Sequence, residues 1–377
     1  MARAGINNCT RKWFMKKHFV LSLFLTILFF KSTPAQFNLY TYYQGIYDDN
    51  IFNTSEKVSD FINSISFGTA YNFESEFNNV HLYYEGNLNY FQTTTSKSFD
   101  SHRIGLVETH LFSIDDNPLN AGVNYSFRNN RDEYEVYDFD QISAYVNYRS
   151  SISEGNFILP GYIFNRNSYN NFTLFSHNEH RLFLTWISNF ETQTSLTLNA
   201  EYLFKDYLEK YDYENYLNKA SLLKFRVNVG QSISDFTGLN GYIIYQANLS
   251  EGSRYLVNDS LIYYEEEIFN DIYSYDGIET GLGFKHYFNE NIELSLEAKY
   301  LIRNYSSLPA ADRNGTELDY LREDTQIGFG AGILFDLSGV INGLSFSAAW
   351  NYIKNNSNDY YYKYTNQMVS FSLGYDL

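Results

Sequence analysis

Cysteine is all but missing. The chain of 377 residues has one, Cys9, and it precedes an apolar run. One thiol builds neither a disulfide framework nor a thiolate metal site. Its position also excludes a lipid anchor, whose cysteine follows the apolar run. Proline is scarce, at 4 residues, so little interrupts long strands, whose interiors proline avoids. Helix-rich runs of Ala, Leu, Glu and Lys are absent. Beyond residue 35 no apolar stretch approaches the ~18 residues of a helical span, so crossing a membrane by helices is excluded. Basic residues are few, 27 against 44 acidic, for a net charge of −17. That opposes nucleic-acid binding, which needs clustered Lys and Arg. It also disfavours adhesion to an anionic membrane surface.

Much of the basic charge lies at the start. Residues 1–35 hold Arg3, Arg11, Lys12, Lys16, Lys17 and Lys31 and no acid. The run Phe19 to Phe30 follows, broken only by Ser22 and Thr26, and then Ser32-Thr33-Pro34-Ala35. A charged head, a short apolar stretch and small residues at the cut describe a secretory signal. Residues 1–35 are therefore expected to be a signal peptide, with Met15 as the better start. Residues 36–377 are expected to form the mature domain, with 21 basic against 44 acidic residues, a net charge of −23.

What is abundant is aromatic: 37 Tyr and 32 Phe, residues that favour strands. Through residues 36–377, segments of roughly 9–13 residues alternate apolar with polar, the period of a two-faced strand. Ile292, Leu294, Leu296, Ala298, Tyr300 and Ile302 make one stripe, with Glu293, Ser295, Glu297, Lys299, Leu301 and Arg303 between them. A helix would spread those charges around its circumference; a strand puts them on one side. Sixteen such segments can be counted. Fourteen stays open, because the segments about Tyr42 and Tyr162 are the least regular, the second with Pro160 inside it. Connectors alternate between short, such as Glu74–Asn79 and Phe288–Asn291, and long, such as Ser250–Tyr273 and Ser306–Glu323. Tight turns on one side and long loops on the other are the plan of a transmembrane barrel. The fold expected is all-β, a closed antiparallel transmembrane β-barrel with short periplasmic turns and long extracellular loops. The last strand carries Val369, Phe371, Leu373, Tyr375 and Leu377 at every second position.

That final stripe and the alternation of the whole mature region resemble the porin-like outer-membrane β-barrel proteins of Gram-negative bacteria. Tyr47-Asp48-Asp49-Asn50-Ile51-Phe52 is similar to a motif of β-barrel porin families. The family's terminal strand, usually ending in Phe, is read by the barrel-assembly machinery; here the last residue is Leu377. The resemblance implies an integral outer-membrane location among lipid and lipopolysaccharide, and it transfers no catalytic residue.

A closed sheet pairs every backbone N–H and C=O inside hydrocarbon and leaves no edge. Only half of each strand meets lipid, which is why mean hydropathy is as low as −0.38. At about 16 strands an aqueous channel remains inside. His81, Glu85, Asn87, Lys224, Arg226, Glu279, Lys285, Glu293, Glu297, Lys299 and Arg303 are the expected lumen residues. With Tyr287 opposite Asn291, Lys285 would face Glu293 and Glu279 would face Lys299. These charges either shape the field of a pore or brace the wall.

Other candidates are thinner. Glu265-Glu266-Glu267 and the acids of Asp206–Glu214 could gather cations but have no EF-hand spacing, and read as solvated loop tips. Tyr360-Tyr361-Tyr362 could stack on sugars or form an interfacial girdle. His177 and His180 with Glu179 offer H-x-x-H without further ligands, so no metal site and no cofactor is expected. Ser101 with His102, and His110, are the residues a barrel hydrolase would use, and no nucleophile-elbow or nucleotide fingerprint accompanies them. The expected function is a porin-like channel for passive diffusion of small hydrophilic solutes, not an enzyme. The alternative is a non-transporting surface barrel whose acidic, aromatic loops bind partners or glycans. Loop Ser250–Tyr273 is the candidate to fold inward. Whether the chain forms homo-oligomers stays open.

Overall fold

The computed structural model describes residues 37–112, 117–210, 217–250 and 272–376. The expected signal peptide, the Glu265-Glu266-Glu267 run, most of the Ser250–Tyr273 connector and Leu377 lie outside them.

Alternation of the kind read above becomes strand wherever it occurs. The elements are β1 (Phe37–Asp48), β2 (Asp60–Glu74), β3 (Asn78–Phe91), β4 (Phe99–His110), β5 (Leu119–Asn130), β6 (Phe139–Tyr148), β7 (Ser150–Ser153), β8 (Asn156–Tyr169) and β9 (His177–Asn189). They continue as β10 (Thr194–Tyr207), β11 (Lys219–Ser234), β12 (Thr237–Asn248), β13 (Tyr275–Asn289), β14 (Ile292–Ala311), β15 (Glu317–Asp336), β16 (Leu344–Ser357) and β17 (Tyr364–Asp376). Neighbours in sequence are neighbours in one antiparallel sheet, and β17 returns to β1, from Tyr40 opposite Asp376 to Asp48 opposite Met368. The sheet is therefore closed and has no free edge. β6 and β7 both pair with β8 and form one wall strand, so the barrel has sixteen staves.

The gap in that stave has a local cause. β6 pairs with β8 as far as Asn147 opposite Gly161, and β7 resumes at Ser150 opposite Ile158. Pro160 falls in the gap. A proline has no N–H to give a neighbour, and here no paired residue of β6 or β7 lies across from it. The segment about Tyr162 thus keeps full strand geometry despite its proline.

Alternation fixes the two faces. Ile65, Leu82, Leu106, Val123, Ile142, Leu184, Phe225, Ile243, Leu282, Leu296, Phe329, Trp350 and Phe371 are exposed apolar residues on one face. In water such a belt would be unfavourable by roughly 25 cal/mol per Å²; in a bilayer it is the required surface. The opposite face lines the interior.

One long connector differs from expectation. Ser306–Glu323 is not a loose loop: β14 and β15 run on past the wall and turn at Asp312–Thr316, where Gly315 has φ 76°. The Asp312 N–H donates to the Thr316 carbonyl and the Gly315 N–H to the Asp312 carbonyl, both at 3.0 Å. Register slips around Pro309 mark where the extension leaves the wall. Its anchor is Arg322, fully buried. The guanidinium lies 3.2 Å from the Tyr362 ring centroid and 4.5 Å from that of Tyr305. It donates twice to Asp324, Nε to Oδ1 at 3.1 Å and Nη2 to Oδ2 at 2.5 Å.

Candidate functional site

The candidate site is the inner wall. All the charged residues singled out above, His81, Glu85, Lys224, Arg226, Glu279, Lys285, Glu293, Glu297, Lys299 and Arg303, lie on the face opposite the apolar belt, as does Asn87. His81, Lys224, Arg226, Glu279 and Glu297 each sit one position from an exposed apolar residue, Leu82, Phe225, Ile278 or Leu296, and Glu85 shares the face of His81 and Asn87 by strand alternation.

Their cross-strand partners differ from the expected ones. Asn289 pairs with Ile292, a bulge follows at Phe288, and Tyr287 stands opposite Glu293, not Asn291. The β13–β14 turn is a tight two-residue turn, so the register moves by two. Lys285 faces Ser295, Glu279 faces Leu301 and Lys299 faces Gly281. Lys285 still reaches Glu293 on the diagonal, Nζ to Oε1 at 2.7 Å. Glu279 instead accepts the Tyr242 hydroxyl at 2.6 Å.

Charge is concentrated on one side. Glu179 and Arg181 of β9, Glu201 and Lys205 of β10, Lys224 and Arg226 of β11, Glu279 of β13, and Glu297, Lys299 and Arg303 of β14 share this face. Lys224 stands opposite Glu201 and Arg226 opposite Asn199. Arg181 and Glu179 are 3.7 Å apart. Elsewhere the wall is lined by amides: Thr109 donates to Asn120 at 2.8 Å, Asn120 to Asn147 at 3.0 Å, and Gln141 to Asn167 at 2.7 Å.

Glycine shapes a recess within the charged side. Gly281 and Gly283 of β13 and Gly328 and Gly330 of β15 flank Glu297 and Lys299. A Cβ on Gly281 would meet the Tyr242 ring at 2.3 Å, and one on Gly328 the Lys299 stem at 2.6 Å. The missing side chains are what let Tyr242 and Lys299 lie flat. The hollow measures about 320 Å³ and is lined by Asn240, Tyr242, Glu297, Lys299 and Asn351 among others. Glu297 and Lys299 are exposed there, and among the described residues neither makes an ion pair.

Loop segments brace the long-loop mouth. Tyr273 is buried with Leu203, Leu217, Ala220 and Leu222. Its hydroxyl donates to Glu179 at 2.9 Å, and Lys205 lies 4.6 Å from its ring centroid. Gln246 donates to the Ile272 carbonyl at 2.6 Å. The end of the Ser250–Tyr273 connector thus rests on inner-face residues; 251–271 lie outside the described residues. Across the mouth, Tyr134, Tyr137 and Phe175 form a second cluster with Phe52 and Phe172. Buried Lys97 sits 4.9 Å from the Phe52 ring and 5.7 Å from that of Tyr134. In the β16–β17 loop, burial lifts the Asp359 carboxyl above its ordinary range, against N–H donors from Ala311 and Tyr361 and the nearby Arg322.

The remaining candidates do not converge. Residues three apart on a strand point to opposite faces. His177 faces inward, held by Asn167 at 2.9 Å, while His180 lies on the apolar face 2.7 Å from the Tyr162 hydroxyl. His102 is also on the outer face, 2.8 Å from the Tyr84 hydroxyl and 3.1 Å from Asp100, and Ser101 points away from it. His110 meets Asn78 at 2.7 Å. Among the described residues no group of three or more metal-ligating side chains gathers. Tyr362 packs on Arg322. Val369, Phe371 and Leu373 are exposed on the outer face, and Tyr375 pairs with Thr41 and Leu344. Sequence reasoning missed Arg181, Glu201 and Tyr242, which the Leu196/Leu198/Ala200 stripe and its neighbours would have placed inside. Tyr273 had no signal, because its partners are on other strands.

The fold is that of the outer-membrane porins. Solved structures of similar fold include Acinetobacter baumannii OccAB4, 12% identical with TM-score 0.53, matched over 92% of this chain and 99% of that one. Acinetobacter baumannii OccAB1 is 9% identical with TM-score 0.51, over 91% and 96%. Pseudomonas aeruginosa OprD is 10% identical with TM-score 0.50, over 92% and 96%. Neither a protein-family profile nor a curated protein sequence matches the chain.

Proposed function

We propose that this chain is an integral outer-membrane channel through which small hydrophilic solutes diffuse passively, and that it carries out no chemistry. The observation that carries this is the inner wall of the closed sixteen-stave barrel: charges of both signs, amides and glycines face an interior too wide for side chains to fill. A solute entering it exchanges part of its hydration for wall groups that are already hydrated, so binding stays weak and exit stays easy. The mixed signs of Glu201 and Lys224, and of Glu297 and Lys299, favour polar solutes of modest net charge. Lipid and lipopolysaccharide would surround the outer face, and the Val369, Phe371, Leu373 and Tyr375 stripe would be the segment presented to the assembly machinery.

The test is electrical. Purified, folded protein added to a planar bilayer is expected to give stepwise conductance increments. Silence over a range of salts and voltages from protein shown to be inserted would overturn the channel reading. A second reading, a surface barrel with a loop-closed lumen, draws on the packed clusters about Tyr273 and Tyr134; it predicts that silence, relieved by loop deletion.

A further inference from the structure

Away from the charged side, the inner faces of β1–β6 carry tyrosines laid across glycines. A Cβ on Gly68 would fall 2.2 Å from Tyr40 Cζ, one on Gly105 2.5 Å from Tyr83 Cζ, and one on Gly122 2.4 Å from Tyr145 Cε1. Each ring thus occupies the space of the missing side chain. All three rings are half-buried, with one side on the wall. Tyr83 reaches over β4 from β3, and Tyr145 reaches over β5 from β6, so the two approach from opposite sides. Gly105 stands opposite Asn124, and Gly122 is two positions along β5 from that residue. On that diagonal the two glycine positions under the rings are about 7–8 Å apart.

Polar groups fill the space between and beside them. Asn124 lies between the two rings, and Ser143 stands opposite it; among the described residues neither side chain has a hydrogen-bond partner. Arg103 and Glu85 flank Tyr83, 3.5 Å apart and with side chains 50% and 39% exposed. The Tyr40 ring crosses Gly68, which stands opposite Glu85. Filling a glycine gap is a wall function that an aromatic ring serves in any sheet. It does not call for two adjacent platforms with an unengaged carboxamide between them and a loosely paired guanidinium and carboxylate alongside.

We infer that Tyr83, Tyr145 and Asn124, with Arg103 and Glu85, form a saccharide subsite on the lumen wall. It would take neutral pyranose units: the C–H face of each sugar ring lies on a tyrosine, while the carboxamide and the charged pair bind vicinal hydroxyls as donors and acceptors. This rests on the channel reading and names a solute class for it.

The experiment uses the full mature chain, with maltohexaose as the probe and a polyethylene glycol of equal hydrodynamic size as control. In planar bilayers maltohexaose is expected to interrupt the ion current in a saturable way, and the glycol is not. Tyr83→Ala or Tyr145→Ala should raise the half-blocking concentration roughly tenfold, the loss expected for one aromatic platform. Tyr145→Phe, which keeps the ring over Gly122, should stay within about twofold of the unaltered protein. Asn124→Ala alters a side chain with no partner in the wall, and weakened block by it reads the site even if the alanine variants at tyrosine do not assemble. Equal block by both polymers, or block indifferent to Asn124→Ala and Tyr145→Ala, would overturn the inference. Calorimetry of maltohexaose with the detergent-solubilised protein separates the two claims. Binding lost in Asn124→Ala without any conductance would keep the subsite and refute the channel. Conductance with neither block nor binding heat would do the reverse.

Discussion

A buried cation shows what one residue decides in this molecule. Arg322 is fully buried, and its charge is met by Asp324 and by the faces of Tyr305 and Tyr362. Removing one partner of such a pair strands the other, typically at 3–5 kcal/mol. Asp324→Asn is therefore expected to loosen the β14–β15 extension, read as faster protease cleavage at the Asp312–Thr316 turn while the barrel stays intact. Asp359, in the adjoining loop, works in the opposite sense. Its folded pKa is raised by burial, so its stabilising share is complete below the unfolded value of about 3.9 and is lost as pH rises through the folded one. Asp359→Asn keeps an acceptor for the Ala311 and Tyr361 N–H groups without the charge. At pH 7 it should equal or exceed the unaltered protein in protease resistance of this loop, with the difference vanishing at pH 3. Neither residue was legible in the sequence, since burial here comes from a loop that returns from another strand. The face of the inner charges was legible, because on a strand the face of Glu297 follows from Leu296 and Ala298 alone.

At the scale of elements, period 2 gave the staves, and turn geometry gave the register. The first is written in every strand and the second is not. The β13–β14 hairpin turns one residue later than expected, a register shift of two that moved Lys299 from Glu279 to Gly281 without changing the face of either. Even Pro160 fits, because the neighbouring stave breaks where its N–H is missing. Glycines are the other element-level device. A valine at position 328 would drive a Cβ to 2.6 Å from the Lys299 stem and push that side chain into the lumen. Gly328→Val should fold with a loss of roughly 1–3 kcal/mol, as for an overpacked site, and should lower single-channel conductance through the recess. Unchanged conductance would remove the recess from the conduction path. The loop extension of β14 and β15 escaped the sequence reading, because Ser306–Glu323 lacks the alternation that marks lipid-facing strands.

For the whole molecule, shape and charge are separate statements. Closure follows from β17 meeting β1, and the direction of ion preference from how the inner charges are distributed. The β9–β14 side holds Arg181, Lys205, Lys224, Arg226, Lys285, Lys299 and Arg303 against Glu179, Glu201, Glu279, Glu293 and Glu297. Converting Lys299 and Arg303 together to Glu is expected to move the reversal potential in a salt gradient toward cations, by an amount that falls with ionic strength as screening grows. An unchanged reversal potential would mean that these side chains do not face the conducting path. Closure of the sheet is tested by the electrophoretic mobility of the detergent-folded protein with and without boiling. A closed barrel resists dodecyl sulfate unheated, so a compact fast band rich in strand by circular dichroism is expected, converting on heating to a slower band at the mass of the unfolded chain. A single band indifferent to heat, from a chain that stays soluble and monomeric without detergent, would contradict it.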